Sequence, residues 1–323
     1  MISIVVPSRI HMSLIDLGEI GYRRNGGVGF CIDGPASNFS YVLSEQIDFS
    51  LLSTMGYLAS EIEAIECRLL HLQRSFNLHG IRLAKVSMPG RHMGFGTGTA
   101  VGLAAIEAMS LLNGLNLSDE EIMRRSGRGG ASGIGLNSYF HGGFIFDIGR
   151  KFDSARITSS EDVQLPRELP VALSLQKMPS WDVGILYLND AKPVSLEAER
   201  HLFSTTIPIS SRDVHEITYH AVFGALAAVA VGDFNSFCSS VNALRQCAWK
   251  QAEINLHGTS VSNPMAVLKE LGCDAVGMSS VGPALYFFAA DFDNVFSRVS
   301  HLFSDSMLLS SMPNNHGREI IYA

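Results

Sequence analysis

Residues 88–100 read Met-Pro-Gly-Arg-His-Met-Gly-Phe-Gly-Thr-Gly-Thr-Ala, a spacing suited to holding phosphate. Gly94, Gly96 and Gly98 alternate with Phe95, Thr97 and Thr99. Val101, Ala104, Ala105, Ala108, Leu111 and Leu112 then recur at three- and four-residue intervals, which predicts a helix with one buried face. Side-chain-free backbone leading into a helix N-terminus leaves N–H donors unpaired at the positive end of the helix dipole. Such donors suit a phosphate or diphosphate, and Thr97 and Thr99 add hydroxyls. A turn that only lets the helix pack closely would use the same residues, and glycines alone do not separate the two. Two common phosphate loops are excluded. The chain has no Gly-Lys dipeptide, so it has no GxxxxGK[ST] loop. Thr99 stands where the dinucleotide fingerprint needs its third glycine, and Pro89-Gly90 interrupts the strand that should lead in.

Arg9 and His11 are two apart, so a strand would point both to one face. A guanidinium clamps anions in bidentate fashion and an imidazole handles protons near neutrality. A strand-end Arg and a hydrogen-bonded core His would read the same way. Asp16, Arg128, His141, Asp147, Ser279 and Ser280 are the other residues with chemistry to offer. Each also has a plainer use, as a turn cap, a solvated loop charge or a turn former.

Elements must position these groups. Residues 2–14 alternate as a strand, Gly26-Gly27 opens a second strand over 28–32, and 41–52 is a third. Leu58, Ile62, Ile65, Leu69 and Leu72 mark an amphipathic helix, and 81–86 is a strand that delivers the chain to the glycine loop. Asn116-Leu-Ser-Asp-Glu-Glu reads as a cap followed by an acidic first turn. A second glycine-rich stretch, Gly127 to Gly135, runs into Tyr139-Phe-His-Gly-Gly and a strand over 144–148. Residues 150–170 are charged, hold two prolines and lack a period, which places a lobe boundary there. Beyond it, 182–188 is a strand, helices cover 195–204, 213–231, 233–256 and 264–271, and 276–288 turns around Ser279–Pro283. A helix over 292–303 and strands within 306–322 follow.

At 323 residues, two lobes are the expectation. Charged residues are 17% and apolar residues 46%, values of a compact folded chain. A formal charge of −7 argues against general nucleic-acid binding, though not against a local cationic pocket. Cys31, Cys67, Cys238, Cys247 and Cys273 show no CxxC spacing and read as buried thiols in a reducing compartment. The first residues carry no basic leader, and the apolar stretch 221–231 is too short to span a bilayer. The expectation is a cytoplasmic protein with no membrane partner.

Three segments, Pro7-Ser-Arg-Ile-His11, the loop from Pro89 to Ala100, and Gly277 to Ala284, resemble in order and spacing the three motifs of the GHMP superfamily of small-molecule kinases. The resemblance implies an α+β, two-layer fold: an N-terminal lobe like ribosomal protein S5 domain 2 (1–160) and a ferredoxin-like C-terminal lobe (161–323). Those kinases carry Ser-Gly-Ile/Val-Asp in the second glycine stretch, with the aspartate helping to activate the acceptor hydroxyl. Here the stretch is Ser132-Gly133-Ile134-Gly135, and glycine accepts no proton. What remains resembles the β-ribofuranosylaminobenzene 5′-phosphate synthases of methanopterin biosynthesis. The shared positions are Arg9 to Leu17, Gly26 to Gly29, Gly127 to Gly135, His141 to Asp147, and Ser279-Ser280-x-Gly282-Pro283. Val281 stands where that family often has an aromatic, and residues 246–260 match loosely.

The resemblance implies Mg2+-dependent, decarboxylating C-ribosyl transfer from phosphoribosyl pyrophosphate (PRPP) to 4-aminobenzoate or a hydroxybenzoate, releasing CO2 and pyrophosphate. In that frame Gly94, Gly96, Thr97, Gly98 and Thr99 hold the leaving diphosphate. Arg9 clamps a phosphate or the aromatic carboxylate, and His11 handles a proton. Asp16 takes Mg2+ or a ribose hydroxyl, and Asp147 is a second metal candidate. Arg128 anchors the 5′-phosphate, while Ser132, Gly133, Gly135, Ser279, Ser280 and Gly282 shape or contact the substrate. A homodimer is implied. An ATP–Mg2+ kinase with a relocated catalytic acid, and a silent ligand-binding relative, are the alternatives.

Overall fold

The computed structural model describes residues 1–151, 168–188 and 192–322. The first half is built on β1 (Ile2–Asp16) and β2 (Arg23–Ser44), which pair antiparallel along almost their whole length. β2 is one long strand where the sequence suggested two. Its second half keeps the alternation, burying Phe39 and Tyr41 between more exposed neighbours. The strand ends at Ser44, and residues 45–52, expected as strand, turn instead into a 3₁₀ segment (Ser50–Met55) that buries Leu52.

α1 (Ala59–Phe76) buries Ile65, Leu69 and Leu72, and β3 (Gly80–Ser87) then pairs with β2. α2 (Thr97–Leu112) is buried on every side from Ala100 to Ser110, because it is apolar all round rather than on one face. α3 (Asp119–Ser126) starts at a capping box: Ser118 Oγ accepts from Glu121 N–H and the Glu121 carboxylate accepts from Ser118 N–H. α4 (Ile134–His141) leads to β4 (Phe144–Asp147), β5 (Arg150–Lys151) and β6 (Ala172–Gln176).

The second half holds β7 (Val183–Tyr187), α5 (Leu196–Thr206) and α6 (Ser211–Tyr219), with a π segment (His220–Leu226) running into α7 (Ala227–Val231). α8 (Phe234–Gln246) and α9 (Ala248–Asn255) are two helices where periodicity suggested one, broken at Cys247 in extended backbone. α10 (Thr259–Glu270) begins ahead of Pro264 rather than at it. β8 (Ala275–Met278), β9 (Leu285–Phe288), α11 (Phe292–Leu302), β10 (Met307–Ser311) and β11 (Glu319–Tyr322) follow.

The first sheet runs β11-β1-β2-β4-β6, with β3 and β5 also on β2; the second runs β10-β7-β9-β8. That second order, with helices between β7 and β8 and between β9 and β10, is the ferredoxin-like split βαβ pattern. The α+β expectation therefore holds. The boundary expected between 160 and 161 lies outside the described residues. Two later strands, β6 and β11, belong to the first sheet. Ile10, Met12, Val28 and Phe30 pack with Val183, Phe237, Trp249 and Phe288 in one core that joins the two sheets.

Two expectations need correction. Cys67 is exposed on α1, while the other four thiols are buried. The apolar stretch expected over 221–231 is part of a continuous helical run, Ser211–Val231, that is long and apolar enough to cross a bilayer. One face of it, Val214, Ile217, Ala221, Ala225 and Val229, packs into the core, while Tyr219, Phe223 and Val231 are exposed on the other.

Candidate active site

The three motif segments are bonded to one another. Gly94 (φ +98°) and Gly96 (φ +79°) adopt backbone that side chains rarely take, and a Cβ on Gly94 would fall 2.4 Å from the Ser279 carbonyl oxygen. Arg9 Nη1 donates to the Gly94 carbonyl at 3.0 Å, and Arg9 N–H to the Phe95 carbonyl at 3.2 Å. Ser279 Oγ donates to the Gly94 carbonyl at 2.6 Å and accepts from His11 N–H at 3.0 Å. Ser280, itself at φ +55°, donates its N–H to the His11 carbonyl at 2.8 Å. The glycine loop thus leans on β1 from one sheet and on the β8–β9 turn from the other.

Gly96 caps α2 without a side chain, so the first-turn amides serve whatever anion lies before the helix. They open on a cavity of about 340 Å³. Its wall includes Arg9, His11, Gly94, Gly96, Thr97, Gly98, Thr99, Arg128, Ser132, Gly135, Ser280 and Gly282, so most residues singled out from the sequence meet there. Arg128 Nε donates to Thr99 Oγ1 at 3.4 Å, laying its guanidinium along the start of α2. Arg68 and Arg91 make the cavity more cationic still. Arg91 lies over the Tyr57 ring, bonds the Gly56 carbonyl and pairs with Glu61. Burial lowers the Arg9 guanidinium to about 10, opposed by Glu253, which leaves it a cation at neutral pH. Burial, then Arg9 and Lys250, push His11 well below the usual imidazole range, so it is neutral there.

His11 Nε2 lies 3.3 Å from Ser132 Oγ, and Ser132 Oγ donates in turn to Asp147 at 3.5 Å. His11 Nδ1 is buried with no hydrogen-bond partner among the described residues. Asp147, expected as a metal candidate, is not on the cavity wall. It is fully buried and accepts from Gly133 N–H at 2.5 Å and Gly149 N–H at 2.7 Å, so it fastens the second glycine stretch. Asp16 is also off the wall; its carboxylate accepts from Gly18 N–H at 3.2 Å and closes a turn. Ser279 and Gly133 act behind the wall, through bonds to others, and His141 is exposed at the end of α4. At Gly135, a Cβ would meet Thr99 Cγ2 at 3.2 Å, a tight fit that a side chain there would gain only by pushing the loop threonine aside.

Sequence reasoning missed Arg68, Arg91, Glu199, Phe203, Lys250 and Glu253. Arg91 sat inside the quoted loop and carried the only local signal. Lys250 and Glu253 are spaced like a solvated ion pair, and only the break at Cys247 turns them inward. Among the described residues, no three His, Cys, Asp or Glu side chains cluster as a metal site.

The description "GHMP kinases N terminal domain" matches residues 62–143. A homoserine kinase from Cytophaga hutchinsonii superposes with a TM-score of 0.68 at 16% identity, covering 99% of this chain and 97% of the other. The fold is that of the GHMP kinases, and the match to their N-terminal domain takes in the glycine loop. The chain is 31% identical over 291 residues, 88% of its length, to the beta-ribofuranosylphenol 5'-phosphate synthase of Archaeoglobus fulgidus, covering 87% of that protein. It is 29% identical to the protein of the same name from Methanothermobacter thermautotrophicus, covering 98% of this chain and 97% of the relative. The chain belongs to this family of synthases.

Proposed function

We propose that the protein joins the ribosyl 5-phosphate group of PRPP to the ring carbon of a 4-hydroxy- or 4-aminobenzoate, releasing CO2 and pyrophosphate. The observation that carries this reading is the cavity: a glycine-rich anion cradle ringed by four arginines, with no carboxylate at position 135 to activate a hydroxyl. The names of the relatives, which specify a ribosylphenol phosphate product, support it. PRPP is anionic at both ends. The amides of Gly96–Gly98 with Arg9 and Arg128 suit one end, and Arg68 with Arg91 suits the other. As the bond from ribose C1 to pyrophosphate breaks, the loop amides stabilise the charge that grows on the leaving group. His11, on the cavity wall and held neutral by burial and by Arg9 and Lys250, suits hydrogen bonding to substrate better than taking up a proton.

The donor set suits a Mg2+ ion carried in on the diphosphate, which Glu199, one of the carboxylates on the wall, would help to hold. When bound, the ion neutralises charge on the leaving group. The homodimer and the cytoplasmic setting belong to the same proposal.

Purified protein incubated with Mg2+, PRPP and 4-hydroxybenzoate should release CO2 and pyrophosphate in equal amounts. Absence of both, with ATP consumed on a small alcohol, would make it a kinase and end this reading.

A further inference from the structure

The corner at Cys247 (φ −64°, ψ 149°) redirects α9 so that Lys250 and Glu253 face inward, each only 2% exposed. Lys250 Nζ donates to the Met278 carbonyl at 3.3 Å and the Ser280 carbonyl at 3.2 Å, and pairs with Glu253 through Oε2. Its three N–H bonds are thereby used. Glu253 differs. It lines the cavity, and among the described residues Lys250 is its one partner. A carboxylate can accept about four hydrogen bonds, and leaving that capacity unused in a buried wall is costly. The wall also holds Leu14, Val194, Phe203 and Val281, apolar side chains of the kind that receive a flat ring.

We infer that Glu253 is the proton acceptor for the para O–H or N–H group of the aromatic acceptor, with Lys250 as the residue that positions it. This rests on the ribosyl-transfer reading above. The ring carbon bearing the carboxylate bonds to ribose C1 while pyrophosphate leaves with the electron pair of the breaking C1–O bond. The ring is then cationic and its para hydroxyl strongly acidic, so the Glu253 carboxylate takes the proton and leaves a neutral dienone. The carbon–carboxylate bond breaks next. CO2 departs, the electron pair passes through the ring to the para oxygen, and that oxygen recovers the proton from Glu253. No oxidant or reductant enters.

The test is Glu253→Gln, which keeps the shape and cannot take the proton. CO2 release from PRPP and 4-hydroxybenzoate should fall by about a hundredfold or more, while PRPP binding measured by calorimetry stays within about twofold. A difluorinated 4-hydroxybenzoate, whose phenol is already ionised at neutral pH, brings no proton to hand over. With it, the ratio of wild-type to variant rates should collapse toward one. An equal ratio for both acceptors would mean that Glu253 only holds structure, and would overturn the inference. Should the single variant fail to fold with Lys250 unpaired, Lys250→Met combined with Glu253→Gln supports the same comparison. A wild-type protein that releases no CO2 sinks the ribosyl-transfer reading; an active wild type matched by the variant sinks only the role of Glu253.

Discussion

Replacing Ser279 by alanine tests whether the site depends on bonds between its three motifs. Ser279 is fully buried, and its hydroxyl both donates to the Gly94 carbonyl and accepts from His11 N–H. The Gly94 carbonyl would keep Arg9 Nη1 at 3.0 Å, so its loss is one ordinary hydrogen bond, about 1 kcal/mol. His11 N–H would be orphaned inside the protein, at a cost of about 1–3 kcal/mol. The sum is a destabilisation of about 2–4 kcal/mol. Urea unfolding is the assay, followed by the fluorescence of Trp181 and Trp249, both of which lie in or against the main core. The loop that Ser279 steadies should also hold its anion less well, raising the KM for PRPP by about tenfold for each 1.4 kcal/mol of binding lost. A change below about 0.5 kcal/mol, the range of an ordinary surface substitution, with KM unmoved, would refute the reasoning.

Gly135→Asp should abolish CO2 release without creating ATP-dependent phosphorylation, because the new Cβ lands 3.2 Å from Thr99 Cγ2; gain of kinase turnover in a coupled assay would contradict this. Burial raises the Asp147 carboxyl to about 6 from 3.8, against the bonds it accepts. The folded chain therefore holds that proton more tightly than the unfolded chain, so stability is lost as pH rises between those values and the full cost is present above them. Relative to Asp147→Asn, the wild type should lose on the order of 1 kcal/mol between pH 5 and pH 8 in urea unfolding, and a relative gain would reverse the argument. Cys67 is the exposed thiol, whereas burial raises those of Cys31, Cys238, Cys247 and Cys273. A thiol reagent should titrate one fast cysteine per folded chain, and two or more would show the core to be open.

The parts of the site that announce themselves in sequence are those whose chemistry is local. A glycine loop before a helix, or Arg9 and His11 on one strand, can be read from neighbours a few residues apart. The loop helix was legible for the same reason, whereas the α+β class and the ferredoxin-like order of the second half came from the resemblance to a family. Ser279 was visible, but its use was not, since its two partners lie far away along the chain. Asp16 and Asp147 lie off the cavity wall and accept backbone N–H bonds, and in sequence such a carboxylate looks the same as one that lines a site. Glu253 was hidden by a single residue: Cys247 leaves the helical region while the polar–apolar rhythm of 233–256 runs on undisturbed. Where a helix bends is decided by what it packs against, and that information is spread over the whole fold.

The strand that carries Arg9 and His11 has β11 along its outer edge, with Ile2 opposite Tyr322 and Val5 opposite Glu319. The two strands of this pair are separated by almost the whole described chain, and closing so long a loop is slow. A protease that trimmed residues 319–322 would open the flank of β1 along Ile2–Val5 and offer it to the sheets of other molecules. Clipped protein should consequently clump rather than persist as a weakly active remnant.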